Sequence, residues 1–252
     1  MGIGRPKQKT VTIEQPTRTE PFPLSHVAII MDGNRRWADK LRLPRLLGHR
    51  EGVKTLKELV KYAGAHGLKY LTVYAFSSEN WNRSDKEVKY LLELLCQAIG
   101  SELDELDSNG VRLRFIGDLS GMPDNLRQEF EKAMLRTSSN KGLSLQVAVN
   151  YGSRLEITHA MRRVARAVKD GQLSLDEIEP AVVSSYLYSA DIPDPDLLIR
   201  TAGEMRLSNF LLWQAAYSEL YITPVLWPEF TPCQFELAVA EFSLRQRRFG
   251  GD

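Results

Sequence analysis

Residues His26–Trp37, which read HVAIIMDGNRRW, decide how the rest of the chain is interpreted. The five apolar residues Val27–Met31 form a short, β-branched run, a pattern typical of a strand buried on both faces. Asp32-Gly33-Asn34 predicts a tight turn after that strand. Since Arg35 and Arg36 follow at once, a carboxylate and two guanidinium groups are expected where ligands bind in open α/β sheets. An ordinary strand–turn–helix corner with solvated arginines explains this stretch, taken alone, equally well.

The composition is that of an ordinary globular protein. The 252 residues are 43% hydrophobic and 26% charged, which is enough for one large domain with a substantial core. A net charge of +1 provides no overall field that would attract nucleic acid or an acidic membrane. Cys96 and Cys233 form neither a CxxC pair nor a disulfide framework. Because the sequence also lacks a signal-peptide pattern and an apolar run of the ~18 residues that span a bilayer, we expect a cytoplasmic protein.

Short apolar runs alternate with helical patterns along the chain. Strands are predicted at Val27–Met31, Tyr70–Phe76, Val111–Ile116, Leu143–Val149, Leu197–Ile199 and Glu219–Ile222. Helices are predicted between them, including one over Glu51–Ala65, one opened by a capping box at Ser84–Glu87, one from Ser208 and one from about Thr231. This alternation predicts an α/β fold with a central, mostly parallel, six-stranded sheet flanked by helices. Residues 1–20 are polar and are predicted to be a disordered or loosely attached arm, and residues 21–252 a single domain.

Polar side chains follow four of the predicted strands: Asp32, Ser77, Asn150 and Arg200. The carboxyl ends of parallel strands share one sheet edge, so these side chains are expected to converge. Cationic and polar donors outnumber carboxylates near them, and the donors are Arg35, Arg36, Arg45, His49, Arg83, Arg200, Arg206 and Ser208. This balance suits two phosphate-bearing ligands and one hard cation such as Mg²⁺ better than a peptide or a sugar. Taken singly, each arginine is more simply a solvated surface charge.

Several other kinds of site are not indicated. The sequence has no GxxxxGK[ST] phosphate loop, no GxSxG nucleophile elbow and no GxGxxG that opens a strand–helix unit. Its four histidines have no zinc-ligand spacing.

From His26 to Gly251 the chain resembles the cis-prenyltransferases, specifically the bacterial undecaprenyl diphosphate synthase type. Six separate motifs carry the resemblance: HVAIIMDGNRRWA, PRLLGH, TVYAFSSENWNR, VNYGSR, LLIRTAGEMRLSNFLLWQAAYSELY and the terminal RRFGG. The resemblance implies a homodimer whose sheet and helices enclose a hydrophobic tunnel, with at most peripheral membrane association through the lipid product. It also implies Mg²⁺-dependent, repeated condensation of isopentenyl diphosphate onto an allylic diphosphate, usually farnesyl diphosphate, with new cis double bonds. No DDxxD occurs, so the trans-prenyltransferase type is not indicated.

The resemblance also implies roles for individual residues. Asp32 is expected to handle Mg²⁺ and diphosphate, and Asn80 to accept or relay a proton, although an amide is a poor base and positioning is the more reasonable role. Glu219 is expected to be a second metal ligand, supplied across the dimer. The residues expected to bind substrate are Gly33, Asn34, Arg35, Arg36, Trp37, Arg45, His49, Ser77, Ser78, Glu79, Trp81, Arg83, Arg200, Arg206, Leu207 and Ser208. The terminal Arg248-Phe249-Gly250 resembles a family tail that reaches an active site.

The chain departs from the family pattern at Arg35, Ser153 and Ala202, where Gly is common, and at Met205, where many members have His. None of these departures removes a charge expected in the site. Three alternatives remain open: a non-catalytic partner subunit, a hydrolase that releases diphosphate without elongation, and a short-chain cis-prenyl diphosphate synthase.

Overall fold

A computed structural model describes residues 20–245 and contains one sheet flanked by helices. The strands are β1 (His26–Ile30), β2 (Tyr70–Ser77), β3 (Arg112–Ile116), β4 (Ser144–Tyr151), β5 (Leu197–Arg200) and β6 (Glu219–Ile222). The helices are α1 (Asn34–Lys40), α2 (Arg45–Ala65), α3 (Asp85–Ser108), α4 (Asp124–Arg136), α5 (Ser153–Lys169), α6 (Pro180–Ser185) and α7 (Pro232–Ser243). Residues 1–19 of the predicted arm and the terminal Arg248-Phe249-Gly250 lie outside the described residues.

The six strands follow the order β3-β4-β2-β1-β5-β6, and every neighbouring pair is parallel. The predicted six-stranded, mostly parallel sheet is therefore confirmed. All five residues of β1 and all eight of β4 are buried, as expected for strands covered on both faces. Two apolar clusters cover the faces, a large one against α2, α3, α4 and α7 and a smaller one that includes Tyr151 and Phe210. Within residues 20–245, no helix is long and apolar enough to span a bilayer.

Three local predictions were wrong. The helix predicted over Glu51–Ala65 begins six residues earlier, because α2 starts at Arg45, directly after Pro44. No helix begins at Ser208, since Ser208, Asn209 and Leu211 all have positive φ angles and that segment forms turns. The Ser84 side chain makes no capping hydrogen bond at the start of α3.

Two glycines one helical turn apart let α1 pack closely against α2. A Cβ atom at Gly48 would lie 2.0 Å from the carbonyl oxygen of Asn34, and one at Gly52 would lie 2.4 Å from Asn34 Oδ1. Any larger residue at these positions would push the turn after β1 away from α2. These contacts place Asn34 between the carboxyl end of β1 and the first turns of α2.

Candidate active site

Asp32 lies between two arginines at the carboxyl end of β1. Arg200, the last residue of β5, donates from Nη2 to Asp32 Oδ2 at 2.8 Å, and Arg36 Nη2 lies 3.2 Å from Asp32 Oδ1. Burial alone would raise the pKa of Asp32, but the hydrogen bonds and positive charges of Arg200 and Arg36 outweigh it and hold that pKa below its ordinary value. The Asp32 side chain keeps 28% of its surface exposed, so an ionised carboxylate faces solvent at this edge.

The Arg200 guanidinium is the most buried charged group at this edge, with 4% of the side chain exposed. Its Nη1 donates to Ser208 Oγ at 2.7 Å and to the carbonyl oxygen of Arg206. Its Nε has no hydrogen-bond partner although it is buried. The positive φ angles at Ser208 and Asn209 fold this segment back toward Arg200. An unpaired buried N–H is costly unless something accepts from it, which makes this atom a candidate donor to a bound anionic ligand.

The turn after β1 is fixed by its neighbours. Gly33 has φ 107°, a conformation that favours glycine, and an added Cβ would lie 3.0 Å from both Ala202 Cβ and Leu226 Cδ2. Thr201 Oγ1 accepts from the Asp32 backbone N–H at 2.9 Å and donates to the Asp32 carbonyl at 2.6 Å. The backbone that carries Asp32 is therefore locked to the residue that follows Arg200.

A second polar cluster surrounds Glu87 on α3. Glu87 Oε1 accepts from Arg83 Nη1 at 2.7 Å and lies 3.9 Å from Arg35 Nη1 and 4.0 Å from His49 Nε2. His49 Nε2 and Asn34 Oδ1 are buried and have no hydrogen-bond partner. Cationic and unpaired polar groups thus gather here too, around a single carboxylate.

The loop after β2 is a 3₁₀ helix over Ser78–Asn82 that is tied to neighbouring loops. Asn80 Oδ1 accepts from the Ser77 N–H at 3.1 Å, so this amide shapes the loop itself. Asn209 donates to Glu79 at 2.8 Å, and Trp81 Nε1 donates to Asn150 at 2.8 Å. These bonds hold the loop against the end of β4 and against the turns around Asn209.

A largely apolar cavity of about 330 Å³ opens beside these clusters, between α2, α3 and the sheet. Asn34 and His49 line it near the start of α2, and Val53, Leu95, Ala98 and Phe115 are among the side chains farther in. Lys57 and Lys61 on α2 pair with Glu102 and Glu105 on α3 along its wall. The site thus combines anion-binding groups with a space suited to a hydrocarbon chain.

Comparison with known proteins agrees with this geometry. A family model described as putative undecaprenyl diphosphate synthase matches residues 30–250. The isoprenyl transferase of Agrobacterium fabrum is 51% identical over 235 residues, which cover 93% of this chain and 95% of that protein. That of Brucella abortus is 53% identical over 226 residues, covering 90% and 89%. The chain belongs to the isoprenyl transferase family.

Two solved structures share the fold. Lavandulyl diphosphate synthase from Lavandula x intermedia, in complex with dimethylallyl diphosphate, superposes with a TM-score of 0.88 at 38% identity, covering 90% of this chain and 98% of that one. A probable undecaprenyl diphosphate synthase from Campylobacter jejuni gives 0.76 at 34% identity, covering 90% and 99%. The chain is thus an isoprenyl transferase along nearly its whole described length.

Other expected site residues of this isoprenyl transferase lie apart from Asp32. Glu219 begins β6 at the opposite, amino edge of the sheet and accepts from Arg245 at 2.9 Å. In register it pairs with Leu197, three residues before Arg200, so it is about 10 Å away along the strands. Within one chain Asp32 and Glu219 do not meet, and a Glu219 contribution across a dimer stays a prediction.

Three further expected residues have surroundings other than Asp32. Arg45 pairs with Asp39 at 2.9 Å, Leu207 packs against the smaller apolar cluster, and Trp37 lies half-buried on α1.

Sequence reasoning missed three residues that organise the site. Glu87 was interpreted as a capping residue, yet it accepts from Arg83. Glu204 Oε1 accepts from Arg36 at 3.1 Å and its other oxygen accepts from Arg206. Thr201 fixes the Asp32 backbone. The only local signal was their position in or beside polar loops that follow strands.

The departures from the family pattern leave the charged groups in place. Ala202 has φ 70° although it is not glycine, and its carbonyl accepts from Arg36 at 2.9 Å. Ser153 is fully buried and its Oγ accepts from the Leu212 N–H at 3.0 Å. Met205 is 86% exposed, so its side chain contributes little to the site.

His49 makes folding sensitive to acid. Burial, with the positive charges of Arg83 and Arg35, lowers the pKa of His49 to about 4, against 6.5 for an ordinary histidine. On acidification, the unfolded chain therefore binds a proton at His49 before the folded chain does. The free energy of unfolding falls for this reason as the pH drops from 6.5 toward 4. Between pH 7.5 and pH 5.0 we expect His49 to contribute a loss of about 1–2 kcal/mol in the free energy of unfolding.

Urea unfolding of the wild type and of His49→Asn at both pH values measures this loss. The variant should lose less stability on acidification, while His26, whose pKa burial also lowers to about 4, acts equally in both proteins. Equal losses in the two proteins would show that His49 is not the group responsible.

Proposed function

We propose that this enzyme condenses isopentenyl diphosphate repeatedly onto an allylic diphosphate, usually farnesyl diphosphate, forming cis double bonds and a long polyprenyl diphosphate such as undecaprenyl diphosphate. The observation that carries the proposal is the Asp32 carboxylate, held between Arg36 and Arg200 beside an apolar cavity of about 330 Å³. The carboxylate between two arginines suits the chemistry of a diphosphate, and the apolar cavity suits a growing hydrocarbon chain.

The arginines supply what ionisation of an allylic diphosphate requires. Negative charge grows on the leaving diphosphate as its carbon–oxygen bond breaks, and preorganised donors aimed at that charge lower the barrier. Arg36 is partly exposed, and the buried Arg200 keeps an unpaired Nε–H. Arg200 and Ser208 hold the isopentenyl diphosphate, so that its double bond lies beside the allylic carbon and proximity contributes strongly.

Asp32 is suited to a magnesium ion that the substrate completes. Mg²⁺ commonly binds one or two carboxylates together with substrate phosphates. Among residues 20–245 no group of three His, Cys, Asp or Glu side chains could hold a metal, which fits a site made of one carboxylate and a diphosphate. When bound, the ion would neutralise charge on the diphosphate. The low pKa of Asp32 keeps its carboxylate ionised for this role.

The loop Ser77–Arg83 is proposed to close over the bound diphosphates. Asn80 acts by positioning, because its Oδ1 already accepts from the Ser77 N–H and an amide is a poor base. Arg83 lies at the end of this loop and pairs with Glu87, which also lies near His49 and Arg35. Closure excludes water, which would otherwise capture an allylic cation.

The cavity is proposed to hold the growing chain and to set its length. Burying hydrocarbon gains ~0.8 kcal/mol per CH₂, so each five-carbon unit adds several kcal/mol of attraction. Ala98 lines this cavity from α3. We expect Ala98→Phe to shift the main product to shorter chains by two or more isoprene units while the first condensation changes less than threefold.

Chromatography of labelled products resolves this shift. Ala165→Phe on α5, away from the cavity, serves as the matched control and should leave the chain length unchanged. An unaltered product from Ala98→Phe would mean that the chain grows elsewhere.

We further propose that the enzyme is a homodimer in which Glu219 and Arg245 act toward the partner's site. The two side chains already pair at 2.9 Å, and both are partly exposed at the sheet edge formed by β6. Leu220 on β6 and Tyr217 just before it are exposed apolar residues on the same segment, as a covered surface would require.

The experiment that tests the function uses purified protein, farnesyl diphosphate, labelled isopentenyl diphosphate and Mg²⁺, with EDTA as the control. A Mg²⁺-dependent polyprenyl product near eleven isoprene units supports the proposal. Release of diphosphate without elongation would support the hydrolase, and no reaction would support a non-catalytic partner subunit.

A short-chain cis-prenyl diphosphate synthase is the second candidate. The similarity to lavandulyl diphosphate synthase, solved with dimethylallyl diphosphate, favours it. Products of one or two condensations in the same assay, from either dimethylallyl or farnesyl diphosphate, would identify this alternative.

A further inference from the structure

Three leucines lie exposed between basic residues at the junction of α1 and α2. Leu41, Leu43 and Leu47 keep 47%, 38% and 39% of their surface exposed, and the residues between them include the exposed Arg42 and Arg45. We call residues 41–47 the leucine–arginine segment. Single exposed leucines need no explanation, but three within seven residues, alternating with arginines, form an amphipathic surface.

The backbone of this segment is held firmly. The Arg42 N–H donates to the Asp39 carbonyl at 3.1 Å and the Leu43 N–H to the Ala38 carbonyl at 2.8 Å, which together form a Schellman motif at the end of α1. Arg42 takes the left-handed position of that motif, with φ 56°, where glycine is usual. Because Pro44 then restricts the chain before α2 begins, Leu41 and Leu43 are held apart from the apolar core.

The surface around the leucines is positively charged. Residues 39–50 contain four basic residues and one acidic residue, and because Lys40 also pairs with Glu229 at 3.1 Å, the unbalanced positive charge rests on Arg42 and Arg50. Burial, with nearby arginines, lowers the pKa of His49 to about 4, so it is neutral at pH 7. Arg42 and Arg50 pair with no carboxylate anywhere in residues 20–245, whereas Arg45 pairs with Asp39. The unpaired arginines leave a local positive field on a molecule whose net charge is only +1.

The segment lies next to residues that line the cavity. It ends two residues before His49, which lines the cavity together with Asn34. Tyr90 on α3 donates to the Leu46 carbonyl at 3.3 Å, so the segment also contacts the helix that forms the opposite wall. A bilayer bound at these leucines would therefore lie near the end of the cavity that His49 and Asn34 line.

We propose that the leucine–arginine segment docks the enzyme onto an anionic lipid bilayer. Leucines inserted at the interface and arginines at the headgroups match the chemistry of interfacial binding, in which buried apolar area and attraction to anionic lipid add together. A protein partner would not require leucines and unpaired arginines to alternate, whereas a bilayer interface offers both environments at one depth. Docking itself does not depend on the proposed reaction; its use in passing a polyprenyl diphosphate to lipid rests on that reaction.

Co-sedimentation of the full chain with lipid vesicles tests the proposal without substrates. Vesicles of phosphatidylcholine with 30% phosphatidylglycerol should bind the wild type at least tenfold more tightly than pure phosphatidylcholine vesicles. The double variant L41S/L43S should lose at least tenfold in partitioning, and Arg42→Ser about fivefold, the scale of one basic residue near an anionic surface. High salt should weaken the binding of the wild type.

Matched controls separate docking through this segment from nonspecific hydrophobic binding to vesicles. Leu135→Ser and Leu175→Ser remove leucines that are 77% and 73% exposed elsewhere, and should change partitioning less than twofold. Transferase activity of L41S/L43S in detergent solution should stay within twofold of the wild type. Failure of the proposed function would appear in that activity assay, whereas failure of docking would appear only with vesicles.

Two outcomes would overturn the proposal. The wild type could bind neither kind of vesicle, or L41S/L43S could bind anionic vesicles as tightly as the wild type, which would place the contact elsewhere in the chain. Analytical ultracentrifugation of the same variants adds a further check. A changed oligomeric state with unchanged vesicle binding would show that the segment contacts protein instead.

Discussion

Replacing Asp32 with Asn is expected to lower kcat/KM by at least 10²–10³-fold, the scale of one preorganised electrostatic contact. Asn has nearly the same shape and can still accept from Arg200, but it carries no negative charge for a magnesium ion. The Asp32 carboxylate is ionised in the wild type because Arg200 and Arg36 hold its pKa low. Initial rates with farnesyl and isopentenyl diphosphate, measured across a range of Mg²⁺ concentrations, should show a large loss and a higher Mg²⁺ requirement.

Glu51→Gln is the matched control for that substitution. Glu51 lies on α2 and pairs with the exposed Lys54 at 2.8 Å, so its neutralisation removes one nearby charge without touching the site. We expect its kcat/KM to stay within twofold of the wild type. If Asp32→Asn has the same free energy of unfolding as the wild type and a kcat/KM within tenfold of it, the role of Asp32 in binding Mg²⁺ and diphosphate is contradicted.

The sheet was predictable because its strands carry their own signal. β1 and β4 are buried on both faces, so they appear in the sequence as short continuous apolar runs. The alternation with helices then requires crossovers, which make neighbouring strands parallel. Even β5, only Leu197–Arg200, was located, because Pro residues and an arginine loop bound it.

The local errors arose where distant contacts decide the backbone. The helix predicted from Glu51 begins at Arg45 and so includes Gly48, where an added Cβ would lie 2.0 Å from the Asn34 carbonyl oxygen. The segment from Ser208 has helical composition, yet its Ser208 hydroxyl accepts from Arg200 and the Asn209 carbonyl accepts from the Ser153 N–H. Tertiary hydrogen bonds therefore override helix propensity at this point.

The candidate site was predictable only where its residues follow strands. Residues that directly follow strands, such as Asp32 and Arg200, could be placed on one edge from topology alone. Glu87 could not, because an acidic residue in the first turn of a helix already has a sufficient local explanation. Its contact with Arg83 and its approach to His49 depend on how α2 and α3 pack, which no local pattern encodes.

Substituting Lys for Arg200 is expected to reduce kcat/KM by about 10²-fold or more, which is the typical loss when one donor that stabilises charge in the transition state is removed. The guanidinium spans Asp32 Oδ2 at 2.8 Å and Ser208 Oγ at 2.7 Å, and also reaches the Arg206 carbonyl. A single ammonium cannot serve three acceptors in different directions and also leave an N–H for substrate. Arg200 is the main group that lowers the pKa of Asp32, so this pKa should be higher in the variant. Because activity needs the ionised carboxylate, the fall in activity on acidification should begin at a higher pH than in the wild type.

The coupling between Arg200 and Asp32 gives the sharper measurement. Arg200 both holds Asp32 and is proposed to hold isopentenyl diphosphate, so the loss in Asp32→Asn combined with Arg200→Lys should fall clearly short of the product of the two single losses, because residues in one network are not additive. Arg136→Lys is the matched control, since Arg136 bridges Asp104 and Asp107 on the surface and should alter kcat/KM less than twofold. Fully multiplicative losses in the double variant would instead mean that the pair between Asp32 and Arg200 contributes nothing to the effect of Arg200→Lys.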